Sequence, residues 1–524
     1  MIRIIKWPLF VFLLSALFVA GARAQSTYTA ASCSESDVQA AINKELSTPA
    51  NGDIISIPSG TCTWTGTTVI SQAFNNSVTI QGAGAVSATT GGASTTGTDA
   101  TVIIDNINYS GGPASMMRFT TTSGKSFRLT GMAILQNSSS SVANSAIVNI
   151  IGSSTSVRVD HCHFYMQMGS YQLRFDGPLG VVDHNFFDGI NGWGGIAFHL
   201  EGSSGVGNEQ WAASDQFGTS NFMYVEDSLI NRSSLGDAHD GGRYVIRYCT
   251  MTSSDSTAPQ MYNHGLTPSL GRSMRAAEFY QNNLSETYTN GVGQPTFANN
   301  GGTTLYWGNT VRGYREAIYV DYTRKNNATY TYPAPPSGWG YCGTANGPTN
   351  WDQNTSSSGY GCLDQPGRGA GDLLSGSFPN VLDSRTGTIA WPQQALSPIY
   401  IWANTFTPAS GFSPVSLVSI GDSSLLADNQ DYYQQFGTYG ESGSFKGTTG
   451  VGQGLYSAIP SACKAGPGGN TPGVGYWATD QNTLYVCNPT NTWTAYYTPY
   501  TYPHPLTQTD PAPVPPTNVQ AVGH

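Results

Sequence analysis

One short phrase recurs along this chain and restricts what it can fold into. It reads VDHCHF from Val159, VDHNFF from Val182, VEDSLI from Val225, IRYCTM from Ile246, FYQNNL from Phe279, YWGNTV from Tyr306 and IWANTF from Ile401. Each copy is apolar, two variable residues, a small Asn, Ser or Cys, one variable residue, apolar. The fourth positions are Cys162, Asn185, Ser228, Cys249, Asn282, Asn309 and Asn404, and most neighbours lie between 21 and 33 residues apart. Short strands broken by a turn with one small polar residue describe a β-solenoid, because a single coil cannot bury its own apolar side and must stack on the next. Coils stacked at about 4.8 Å would let each fourth side chain bond to the backbone of a neighbouring coil. Cys162 and Cys249 then fall in this inward column three coils apart, about 14 Å by the same spacing. That distance is too long for a disulfide, so both are expected as buried thiols.

The flanks set the boundaries. Arg3 and Lys6, an apolar run from Trp7 to Ala20 and the ending Ala22-Arg23-Ala24 read as a secretory leader over 1–24. The apolar run is shorter than the roughly 20 residues a membrane span needs. Export permits disulfides, and Cys33 with Cys62, Cys342 with Cys362 and Cys463 with Cys487 are the local pairs among eight cysteines. Ser34 to Leu46 has the apolar spacing of one short amphipathic helix, with Ser34 and Asp37 as capping residues. The repeat then runs to about residue 406, with a long insertion at about 326–396. Residues 407–506 read as a small β-rich cap that seals the open end of the solenoid, and 507–524 as a Pro-rich tail. The formal charge of −10 becomes −13 once the three positive charges Arg3, Lys6 and Arg23 leave with the leader. An acidic chain argues against nucleic acid and anionic membranes as partners, and mildly against a polyanionic substrate.

The VDHNFF-type phrases, the Asn column and the capping helix resemble the pectate-lyase-like superfamily of right-handed parallel β-helices. The resemblance spans roughly Cys33 to Phe406 and implies an all-β, right-handed parallel β-helix with an N-terminal capping helix and a C-terminal cap. It specifies chemistry less well, because lyases, hydrolases, esterases and tailspikes share the scaffold. The hydrolase signatures NTD, DD, GHG and RIK are absent as a set. No strict match to the calcium and arginine motif of pectate lyases is present either.

The resemblance also implies that the strand preceding each phrase carries the groove. Aligned on their glycines, these segments are AIVNIIG (Ala146–Gly152), QLRFDG (Gln172–Gly177), AFHLEG (Ala197–Gly202), HDGG (His239–Gly242) and MYNHG (Met261–Gly265). Alternation turns Ile150, Phe175 and Leu200 inward. Outward lie two columns, one with Asn149, Arg174, His199, His239 and Tyr262, the other with Ile151, Asp176, Glu201, Gly241 and His264. A solvated sheet face carries polar residues anyway. Yet three of the eight histidines fall in this patch, which favours a site. Asp237 and Asp240 sit beside it on a Gly-rich turn; Arg243, Arg272 and Arg275 flank it, and Glu226 and Arg247 lie further along. Trp193, Trp211 and Tyr262 offer ring faces for sugars.

These residues predict a polysaccharide lyase acting on a uronic-acid polymer. Arg174 would neutralise the uronate carboxylate, or Asp176 and Glu201 would hold Ca²⁺ for the same purpose. His239 or His264 would be the base and Tyr262 the acid. His199, Asp240, Arg243, Arg275 and Trp193 would bind substrate. A glycoside hydrolase using Asp176 and Glu201, or a non-catalytic glycan binder of adhesin type, are the alternatives. The expected partner is polysaccharide alone, met as a secreted monomer without membrane insertion.

Overall fold

Each phrase ends one strand and begins the next, and the residue before its fourth position turns the corner. In the computed structural model these corner residues are Gly131, His161, His184, Asp227, Tyr248, Gln281, Gly308 and Ala403, all with φ between 51° and 69°. That left-handed conformation is unfavourable for the bulky residues among them. It is held by the next residue, whose side chain bonds to the coils above and below. Asn185 Oδ1 accepts from the Cys162 amide at 2.9 Å, Asn282 Oδ1 from Cys249 at 3.0 Å, Asn309 Oδ1 from Asn282 at 3.1 Å and Asn404 Oδ1 from Asn309 at 3.0 Å. Their amide nitrogens donate in return, Asn309 Nδ2 to the Phe279 carbonyl at 2.9 Å on one side and to Asn404 Oδ1 at 3.1 Å on the other. The expected ladder is present, and Gln435 continues it past Asn404 at 3.0 Å. Cys162 and Cys249 occupy the column as buried free thiols, each turned to the carbonyl two residues back.

The structure describes residues 24–508 except 67–69, 111, 138–144, 168–170, 190–194, 200–209, 211–212, 234, 254–259, 265–272, 288–291, 322–365, 370–380, 383–388, 391–394, 412–415, 422, 424–425 and 439–441. Within them the chain is strand-rich, and its strands stack in three parallel ladders. The first runs from Thr27–Thr29 through Ser156–Asp160, Gly180–Asp183, Met223–Glu226 and Arg243–Arg247 to Tyr432–Tyr433. The second carries the strands just after each phrase corner, such as His163–Met166 and Phe186–Gly189. The third holds Ala146–Gly152, Tyr171–Asp176, Ile196–His199, Gly236–His239 and Met261–Asn263. Inward side chains from all three merge into one apolar core, from Ala30 and Val38 to Tyr432. The predicted helix is Glu35–Ser47, with Ser34 Oγ accepting from the Asp37 amide; it buries Val38, Ala41, Ile42 and Glu45 over the first coil. Cys33–Cys62 and Cys463–Cys487 are disulfide-bonded, while Cys342 and Cys362 lie outside the described residues. Among the described residues no helix is long and apolar enough to cross a membrane.

The C-terminal region departs from the expected end cap. Tyr432–Tyr433 is the last strand of the first ladder, and the residues that follow lie along that ladder's outer face. There Val451–Gly454, Gly475–Ala478, Thr483–Cys487 and Trp493–Tyr497 form a four-stranded sheet. The reason is in the outward column that it covers: Trp402, Trp307 and Tyr280 stack one above another at 5.5 and 4.5 Å, and Trp477 packs across the first two. Such a stripe is too apolar to face water, and with Tyr224, Leu305, Tyr400 and Tyr497 it becomes a second core. Further back the same column turns charged. Arg247 pairs with Glu226 at 2.7 Å and donates to the carbonyls of Tyr500 at 2.7 Å and Thr501 at 2.8 Å.

Glu278, fully buried under this cover, accepts from Tyr497 Oη at 2.7 Å and from the Gly218 amide at 2.7 Å. Burial pushes its carboxyl from 4.5 up to about 7, against those two hydrogen bonds. A raised folded-state pKa contributes stability that is fully present below 4.5 and lost as pH rises through about 7. The loss should be on the order of 3 kcal/mol. Denaturant titrations of wild type and Glu278→Gln across that window check this: the variant should lack that share of the decline, and parallel curves would refute the assignment.

Candidate active site

Backbone pairing in the third ladder decides which polar side chains meet. Asn149 pairs with Arg174, Arg174 with Ala197, Ala197 with Asp237 and Asp237 with Tyr262. The register two positions on brings Ile151, Asp176, His199 and His239 into line. His264 continues it, its amide donating to the Ala238 carbonyl at 2.9 Å. Arg174 with Tyr262 and Asp176 with His264 thus keep their expected columns. His199 and His239 do not, since each sits two residues from its expected register. Gly152 and Gly177 do stack, but in the next two segments His199 and His239 pair in line with Asp176, so an alignment that ends HDGG on Gly242 is two residues out. A shift of two preserves the face, because side chains alternate with period two. Phe198 rather than Leu200 therefore pairs with Phe175, and Asp237 takes the place beside Arg174 and Tyr262.

Asp237 is the hub of what results. One carboxylate oxygen accepts from His264 Nδ1, the other from the Tyr171 hydroxyl at 2.5 Å, which reaches across the intervening strand. Asp237 is buried, which by itself would raise its pKa; the charge and hydrogen bond of His264, the nearby His239 and the Tyr171 hydroxyl hold it well below the usual carboxylate range instead. His239 is also buried, its ring edge-on to His264 at 5.8 Å. Burial pushes its imidazole down to about 3 against the pull of Asp237, with His264 and Arg174 adding to the push. His239 is therefore neutral at ordinary pH. Tyr262 packs against the other side of His264 at 4.8 Å. Because Nδ1 of His264 is committed to Asp237, the neutral ring presents Nε2 as its basic atom. Arg174 donates through Nε to both oxygens of Asp176, at 2.7 and 3.0 Å, with both side chains partly exposed.

The remaining candidates do other things. Asp240, 1% exposed, lies on a left-handed turn with Oδ2 3.2 Å from His239 Nδ1; it is too deep to touch a polymer. Arg243 and Arg275 are buried too. Arg243 Nη2 donates to the carbonyls of Gln210 and Ser214 at 2.6 and 3.0 Å, and Arg275 Nε to that of Ala213 at 3.0 Å. They hold the segment leading to the second core, a correction to their expected role as substrate contacts. Trp193 and Glu201 lie outside the described residues, and His199 enters through its backbone register alone. For the Ca²⁺ alternative, both Asp176 oxygens accept from the Arg174 guanidinium, and the other expected ligand, Glu201, lies outside the described residues. Sequence reading gave Asp237 a place beside the patch and no role; pairing GDAH with the end of QLRFD would have placed it. Tyr171 carried no signal, since only the third dimension brings its hydroxyl across the intervening strand to Asp237.

Comparison of the chain with protein-family models, with curated proteins and with solved structures finds no match.

Proposed function

We propose that the three ladders are the faces of a right-handed parallel β-helix, and that the chain is a secreted polysaccharide lyase cleaving a uronic-acid polymer by β-elimination. The observation that carries this reading is the oriented Asp237–His264 pair on the outward face that also presents Arg174. An elimination needs the uronate carboxylate neutralised, the proton at C5 removed and the leaving oxygen protonated. Arg174 keeps its η nitrogens for the carboxylate while Asp176 steadies its Nε. His264 takes the C5 proton on Nε2, the C4–O bond breaks as a C4=C5 double bond forms, and Tyr262 gives its proton to the departing oxygen. Asp237 holds His264 in the tautomer this requires, and Tyr171 holds Asp237. The pair of disulfides and the leader-like start support export.

The test is absorbance in the unsaturated-uronate band, with the mature protein incubated on a panel of uronic-acid polysaccharides with calcium and with chelator. A rise on at least one polymer, undiminished by chelator, is the expected result. No rise on any polyuronate would overturn the lyase reading.

A further inference from the structure

The residues at 83–100 run from the first ladder to the second as an arm whose short strands Ser87–Ala88 and Thr95–Thr96 pair antiparallel. The arm arches over the left-handed corner column and is fastened at both ends. At its root the Gly84 amide donates to the Gly131 carbonyl at 2.9 Å, and Asp99 accepts from the Val86 amide at 2.8 Å and contacts His163 Nδ1 at 2.9 Å. At its tip the Gly91 amide donates to Asp227 at 2.7 Å and the Thr250 hydroxyl donates to the Gly91 carbonyl at 2.7 Å. Gly92 lies so close that a Cβ there would meet the Ser228 carbonyl oxygen at 2.2 Å, so only glycine can dock the tip.

Between arch and column is a cavity of about 740 Å³, within the range of small-molecule sites. His161 and His184 line it, successive corner residues with rings stacked at 5.2 Å and 2°. Each commits Nδ1 to a buried aspartate, His161 to Asp160 at 2.8 Å and His184 to Asp183 at 2.9 Å. Those aspartates are themselves gripped by Arg128 and Arg158. The two rings are thus fixed in orientation, each with Nε2 left to meet a ligand, and against the burial that would lower it the Asp183 hydrogen bond and charge raise the His184 imidazole above its usual range. The other polar groups are the hydroxyls of Ser87, Thr89, Thr90, Thr96 and Thr98; what remains is four alanines and three glycines. No side chain larger than Ala supplies an apolar wall, which disfavours a lipid or aromatic ligand. No Asp, Glu, Lys or Arg lines it either, which disfavours a strongly ionic one. Hydroxyls, two imidazoles of fixed orientation and small C–H surfaces are complementary to a sugar.

We propose that this cavity is a second saccharide-binding site, taking the hydroxyl edge of a short oligosaccharide stretch at a distance from the Asp237 cluster. It rests on the functional reading above for its ligand class only. The probes are trigalacturonate and the neutral cellotriose, titrated by calorimetry and saturation-transfer NMR into the full mature chain, the Asp237→Asn protein and a His161→Asn/His184→Asn double variant. Asn tolerates the left-handed corner and so preserves the fold. At least one trisaccharide should bind wild type and Asp237→Asn alike and lose about tenfold or more in affinity in the double variant. Should that variant fail to fold, Thr90→Val at the exposed rim should show a smaller loss in the same direction. Equal binding by the altered proteins, or no binding of either trisaccharide to wild type, would overturn the proposal. Failure of the lyase reading looks different, as absence of unsaturated product with cavity binding intact.

Discussion

An Asp237→Asn protein is expected to form unsaturated product about 10²- to 10⁴-fold more slowly than wild type, the span that a correctly presented general base contributes. The carboxylate accepts from both His264 Nδ1 and Tyr171, and an amide cannot accept from both with equal strength. An Asn NH₂ turned toward His264 would favour the opposite tautomer and place the hydrogen on Nε2, where the base must be bare. The loss should fall on kcat, with KM little changed, because Asp237 is buried and touches no polymer. The pH–rate profile should also change, since the carboxylate that orients His264 is gone. A merely structural role would lower the unfolding midpoint and leave the profile of the surviving activity in place. That outcome, or a rate within a few-fold of wild type, would remove Asp237 from the mechanism.

Arg247→Leu is expected to destabilise the protein by about 3–5 kcal/mol, the usual cost of stranding one member of a buried ion pair. Both Arg247 and Glu226 are fully buried, so Glu226 would be left without its counter-charge. The carbonyls of Tyr500 and Thr501 would lose their donor at the same time. Glu226 also accepts from the His504 amide at 2.8 Å, so one change loosens the strap at 500–504 from both directions. Chemical denaturation reads the energy, and limited proteolysis reads the strap, which should become cleavable near Tyr500 while the ladders resist. A Glu226→Gln/Arg247→Leu protein should recover part of the loss, because no charge is then stranded. An unchanged midpoint with the strap still protected would show that the aromatic cover alone holds this flank.

How far the chain could be read follows from which contacts are local. The column from Cys162 to Asn404 was legible because the corner repeats in every coil, and one polar position per corner faces inward. The helix at Glu35–Ser47 and the pairs Cys33–Cys62 and Cys463–Cys487 needed only their own segments. The outward face of the third ladder was legible as a face, since parity survives an even shift in register. Which residue stands next to which was not, because glycine marks turns of several lengths and the pairing of His199 and His239 depends on where strands start. Arg243 and Arg275 looked like substrate contacts for a related reason: nothing near them in the chain announces the carbonyls of 210–214 that they bind.

By itself, then, the sequence determined a repeat of short strands with a polar inward corner, the disulfides Cys33–Cys62 and Cys463–Cys487, two buried thiols and one outward face rich in ionisable groups. Each of these follows from periodicity or from short-range geometry. Only the tertiary structure decided that Asp237 is the hub of that face, that the C-terminal region lies along the flank, and that the arm at 83–100 encloses a cavity over His161 and His184. In each case the partners are brought together by stacking over tens to hundreds of residues, as when the Tyr500 carbonyl meets Arg247 from 253 positions away. A repeat pattern fixes the spacing of coils; it carries no information about which distant segment will dock on the surface they build.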